Sequence, residues 1–153
     1  MTITAGINWT NDGSGSFTTG QYSRVHCWSF DGGVRLAASS SPEVVPLPFS
    51  DPSLIDPEEA FLASISACHM LFFLSIASKR KYLVKNYEDS AVGMMGMNDE
   101  GKKAFSDIEL HPKIEFDPVN IPGEEVIQKM HELAHASCFL ANSIKAAISI
   151  VLP

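Results

Sequence analysis

From Ala60 to Ala77 the chain runs eighteen residues without an Asp, Glu, Lys or Arg, and this stretch limits the fold more than any other feature. It is framed as a helix. Asp56-Pro57-Glu58-Glu59 precedes it, offering a capping side chain, a proline at the first helical position and two carboxylates at the positive end of the dipole. Lys79-Arg80-Lys81 follows at the negative end. The length approaches that of a membrane span, with the basic triplet as a stop. Against a span stand Ser64, Ser66, His69 and Ser75, which are scattered over every face. The remainder of the chain also alternates like a soluble α+β domain, so the expectation is a core helix buried on all sides.

The segments around this helix supply strands. Ile3 to Trp9, Tyr22 to Phe30 and Val34 to Ala38 are separated by Asn11-Asp12-Gly13-Ser14-Gly15 and Asp31-Gly32-Gly33, which reads as an antiparallel meander. Four prolines between Ser41 and Pro52 remove backbone donors and predict a loop that leads into the helix. Beyond the helix, Ser90 to Met97 and Ser106 to Phe116 flank a polar turn and read as a hairpin. Pro122-Gly123-Glu124-Glu125 opens a second helix with Val126, Ile127, Met130, Leu133 and Ala134 at helical spacing, and Ser143 to Leu152 alternates as a closing strand. The predicted fold class is α+β, one antiparallel sheet with a long buried helix and a second helix, in a single domain covering residues 1–153.

Net charge excludes one class of partner: at −7, with no basic run longer than Lys79-Arg80-Lys81, the surface repels phosphate backbones, so no nucleic acid is expected. Met1 to Gly6 lack the pattern of a secretory leader, which predicts a cytoplasmic protein with no membrane attachment. In that compartment Cys27, Cys68 and Cys138 should be thiols unless chemistry oxidises them.

Cys68 sits in mid-helix, where it gains nothing from the helix dipole and needs a nearby cation to become a thiolate; Arg24, Arg35 and Arg80 are candidates. Cys138 ends the second helix. Together with His131 and His135 it occupies one helical face, and with Cys68 or His69 these residues could offer a metal four ligands. That spacing matches no zinc motif, and redox chemistry ranks above metal binding. Cys27 lies on a strand where it alternates against Arg24, His26, Trp28 and Phe30, so it is read as structural.

Asp56-Pro57-Glu58-Glu59-Ala60-Phe61, followed by Ser66-Ala67-Cys68-His69-Met70 in the same helix, resembles segments of the OsmC/Ohr family of peroxide-resistance proteins, and Cys138 matches that family's second cysteine. The resemblance extends over nearly the whole chain in length and element order. It departs at His69 and Phe139, where many members carry phenylalanine and proline. It implies that Cys68 attacks an organic hydroperoxide, Cys138 resolves the product as a disulfide, Arg24 is the family arginine and Glu58 the family glutamate. It further implies an interlocked homodimer, a thiol or dithiol reductant, and no metal, flavin or haem cofactor. Glu58 and Cys68 are ten residues apart, about 15 Å along a straight helix, so the resemblance would have Glu58 reach the site from the partner subunit and hold Arg24. A thiol sensor or small-ligand binding protein on the same fold is the alternative from another class.

Overall fold

Asp56 starts the long helix as its sequence predicts. In the computed structural model, which describes residues 1–153, helix α1 runs Pro57–Lys79. The Glu59 amide donates to Asp56 Oδ1 at 2.7 Å and the Asp56 amide donates to Glu59 Oε2 at 3.2 Å, a reciprocal capping box. At the other end Lys81 takes φ 67°, while the Lys81 and Tyr82 amides donate back to the carbonyls of Ser78 and Ala77. This satisfies the last carbonyls in the Schellman arrangement, with lysine where glycine is usual.

The chain forms two compact units, Met1–Phe61 and Leu62–Pro153. In the first, β1 (Ala5–Asn8), β2 (His26–Phe30) and β3 (Arg35–Ala38) form the expected antiparallel meander with Ile7, Trp28 and Leu36 in register. Gly33 closes the β2–β3 turn at φ 85°, a conformation that side chains rarely adopt. Strand β2 is four residues shorter than its sequence suggests, because the Arg24 amide donates to the Phe49 carbonyl of the proline-rich loop instead of to a ladder. That loop is fixed by the fully buried Ser39: its amide donates to the Ile55 carbonyl and its Oγ accepts the Asp51 amide.

In the second unit, β4 (Val84–Asp89) pairs antiparallel with β7 (Pro112–Phe116), β5 (Val92–Met97) forms a hairpin with β6 (Lys103–Leu110), and β8 (Ala147–Ile150) runs parallel to β6. The hairpin is the predicted one, but the sequence reading misses β4 and runs β6 and β7 together. A register shift between Val84 and Asn86 breaks the period-two pattern of β4. At the β6–β7 junction the His111 amide donates to Asp89 Oδ1 at 2.6 Å.

Helix α2 (Glu124–Ser137) packs Met130 and Ala134 with Phe73 and Ala77 of α1 and Phe116 of β7, all five of them buried. On α2, Leu133 was expected inward but is 40 % exposed, whereas His131 is only 2 % exposed. Along α1, only Ile65, His69, Phe73 and Ala77 are buried, a stripe at four-residue spacing, and Leu71 is 62 % exposed. Burial on all sides is therefore not met within one chain, because the elements packed on α1 in its unit cover a single face.

Candidate functional site

Three groupings of chemically capable side chains emerge, each within one unit. The first is the thiol pair. Cys138 leaves α2 in extended conformation, φ −68° and ψ 114°, and its side chain is 1 % exposed. The Cys68 thiol, half-buried on α1, lies within hydrogen-bonding reach of it. Burial pushes the Cys138 thiol above its ordinary range, and the hydrogen bond with Cys68 pushes the same way. The Ala141 amide, which donates to Cys138 Sγ at 3.4 Å, partly offsets the rise. On the same two segments Phe72 and Phe139 meet edge to face, with ring centres 5.1 Å apart. Both cysteines are free thiols, and the sequence-level pairing of positions 68 and 138 corresponds to a real proximity.

The second grouping is a groove of about 530 Å³ in the first unit, lined by Ile7, Trp9, Phe17, Tyr22, Arg24, His26, Pro57 and Glu58 among others. Trp9, Phe17 and Tyr22 form a three-ring cluster with centres 4.7 to 5.6 Å apart. The Arg24 guanidinium lies 3.5 Å from the centre of the Tyr22 ring, and its Nη1 donates to the carbonyls of Gly20 and Tyr22. It is thus held by a ring and by backbone oxygens rather than by Glu58: the two share the groove within one chain but form no salt bridge. Within one chain Arg24 and Glu58 thus line the same groove without pairing. His26, which the sequence reading used only to set the phase of β2, supports this wall. Its Nε2 accepts the Trp28 indole N–H at 2.7 Å, which leaves the proton on Nδ1 to be donated to the Arg24 carbonyl at 2.7 Å. Arg35 lies exposed on β3. Cys27 is half-buried on β2, its thiol donating at 3.4 Å to the Trp28 carbonyl.

The third grouping is a pair of buried histidines, which the sequence brought together only as alternative ligands of a metal. His69 Nε2 and His131 Nδ1 share one hydrogen at 2.9 Å, their rings parallel to within 3°. Both are displaced from their ordinary value to about 4, chiefly by burial, which disfavours the charged ring; His135 adds to the effect at His69, where Asp89 opposes it. Because His131 turns toward His69, the alternative metal arrangement of His131, His135 and Cys138 is not assembled: no three His, Cys, Asp or Glu side chains converge. The signal in sequence was a lone histidine inside an uncharged helix. Nothing in the spacing revealed its partner sixty-two residues away.

Comparison with known proteins places this architecture. No curated protein sequence matches the chain. Among solved structures, an OsmC-like protein of unknown function from Vibrio cholerae O1 superposes with a TM-score of 0.97 at 45 % identity, covering 100 % of this chain and 99 % of the other. An organic hydroperoxide resistance protein from Elizabethkingia anophelis superposes at TM-score 0.71 and 20 % identity, covering 99 % and 94 %. One from Legionella pneumophila does so at 0.70 and 16 %, covering 99 % and 95 %. At those identities the last two speak for the fold alone. The profile of the OsmC-like proteins matches residues 50–152, two thirds of the chain including both cysteines and all of α1, and the chain therefore belongs to the OsmC-like protein family.

Proposed function

We propose that this protein reduces organic hydroperoxides with Cys68 as the attacking cysteine and Cys138 as the resolving one. The observation that carries the reading is the meeting of a half-buried Cys68 with a buried Cys138 held toward its protonated form. Such a pair divides the labour: one sulfur is open to substrate, and the other waits as a thiol until a sulfenic acid forms beside it. The Cys68 thiolate attacks a peroxide oxygen, the O–O bond breaks, and the departing alkoxide takes a proton to leave as alcohol. Cys138 then attacks the Cys68 sulfenic acid; an S–S bond forms, the S–O bond breaks, and water leaves with the Cys138 proton. An external thiol or dithiol returns both cysteines to the reduced state by exchange.

Arg24 supplies the positive charge that favours the anionic sulfur and steers the departing oxygen, with Glu58 in the same groove. The aromatic wall of Trp9, Phe17 and Tyr22 suits the organic part of the substrate. The working unit is a homodimer, a reading supported by apolar side chains that one chain leaves exposed: Ile7, Phe17, Val34, Leu36 and Leu71. The fold is shared with two proteins named for organic hydroperoxide resistance. The test is peroxide consumption by the purified protein with hydrogen peroxide and a bulky organic hydroperoxide, each with a monothiol and a dithiol. Turnover of the organic peroxide with a dithiol is expected, and its absence under all four conditions rejects the proposal in favour of a sensor or binding protein.

A further inference from the structure

The His69–His131 pair is unused by the chemistry above, yet its construction is costly. Two neutral imidazoles carry two N–H groups, and one of these fills the shared bond. The other must sit on His69 Nδ1 or His131 Nε2, and both of these atoms are buried without a partner. An unpaired buried donor is destabilising, and two apolar side chains of similar shape could take the place of the pair at little or no loss. A polar pair retained in an apolar core is a device for register, as a buried polar contact is in other helix packings. The surroundings fit such a role: the His131 ring lies 4.3 Å from that of Phe73, and the core beside it is Met130, Ala134 and Ala77.

The pair joins the same two helices as the thiols. His69 follows Cys68 on α1, and His131 stands two turns before Cys138 on α2. Apolar contacts allow helices to slide at little cost, whereas one N–H···N bond fixes a point of contact. We propose that the His69–His131 hydrogen bond is the positioning element of the thiol pair: by pinning α1 to α2 it sets the approach of Cys68 to Cys138, and it is lost when both rings are protonated. The inference rests on the reading of these cysteines as a redox couple.

The pin is sensitive to acid for a geometric reason. One added proton leaves both outer N–H groups unpartnered, and a second turns the shared contact into two donors facing each other at 2.9 Å. Neighbouring charges act in both directions. Asp89 of β4 eases protonation of His69, whereas His135 of α2 opposes it. His131 lines cavities that also carry Glu115, Glu124, Glu132 and His135. Tyr87 of β4, its hydroxyl buried without a partner, is kept neutral by burial and by Asp89.

The experiment measures the Cys68–Cys138 disulfide directly, by equilibrating the natural chain and two variants in dithiothreitol redox buffers from pH 8 to pH 3.5 and quantifying the bridge by mass spectrometry. Three proteins are compared: the natural chain, His69→Leu/His131→Leu, and His69→Gln/His131→Asn, whose amides can restore a hydrogen bond but do not titrate. The equilibrium constant for the disulfide at pH 7.5 should fall about five- to tenfold in the leucine pair, the worth of one hydrogen bond, and return toward the natural value in the amide pair. On acidification the natural chain should lose the bridge relative to the amide pair. Equal constants and equal pH profiles in the natural chain and the amide pair, or no fall in a folded leucine pair, overturn the positioning role. If the leucine pair does not fold, the comparison with the amide pair decides. A natural chain that forms no bridge at any pH overturns the thiol-couple reading, and the positioning role with it.

Discussion

Lowering the pH from 7.5 to 5 should destabilise this protein well before its carboxylates are protonated. In the folded chain His69 and His131 take up protons only near pH 4, against about 6.5 for an unfolded histidine. The folded-state value lies below the unfolded one, so the unfolded chain binds more protons as pH falls and stability drops with it. The loss begins near pH 6.5, grows down to about pH 4, and is complete once both states are protonated. At pH 5 each histidine contributes a loss of about 2 kcal/mol, and the pair about 4 kcal/mol, by linkage from those two values. Against the 5–15 kcal/mol typical of a folded domain, this is a large fraction. With a urea slope of about 2 kcal/mol per molar, the unfolding midpoint should fall by about 2 M between pH 7.5 and pH 5. The assay is urea denaturation followed by tryptophan fluorescence, at fixed protein concentration because subunit association would otherwise contribute. His69→Gln/His131→Asn should flatten the dependence. A midpoint in the natural protein that is unchanged between the two pH values, or that falls equally in the variant, refutes the reasoning.

Three further outcomes are expected. Cys68→Ser should abolish peroxide reduction, whereas Cys138→Ser should permit one oxidation and leave Cys68 as sulfenic or sulfinic acid, distinguishable by mass spectrometry; complete loss of reaction in both would reject separate roles. Arg24→Met should slow the reaction of Cys68 with peroxide and with an alkylating reagent at neutral pH, while Arg35→Met leaves both rates near those of the natural protein; the reverse pattern would move the catalytic cation to β3. Phe73 is fully buried among Met130, Ala134 and the His131 ring, so Phe73→Ala should cost about 3–5 kcal/mol of stability by chemical denaturation.

Some elements are legible in the sequence because their causes are local. The start of α1 is written in Asp56, Pro57 and Glu59, whose capping box needs only residues three apart. The β1–β3 meander follows from alternation and glycine turns, and the choice of Cys68 and Cys138 as the cysteines to propose for chemistry was open to resemblance. Elements set by distant partners were not legible. Strand β4 hides behind a bulge against β7, and β2 is cut short by a hydrogen bond from Arg24 to the loop carbonyl of Phe49.

The side-chain site divides the same way. Residue type and position along the helices made Cys68 and Cys138 candidates, since a thiol is the side chain that can attack a peroxide once its surroundings favour the thiolate. Tertiary structure alone decided that these two thiols meet, that Arg24 rests on Tyr22 and backbone carbonyls rather than on Glu58, and that His131 turns inward to His69 while Leu133 turns out. The physical reason is that periodicity reports which face of a helix is apolar on average. Which side chain on that face finds a partner depends on how closely another element approaches, and a single hydrogen bond across 62 residues leaves no trace in the local pattern.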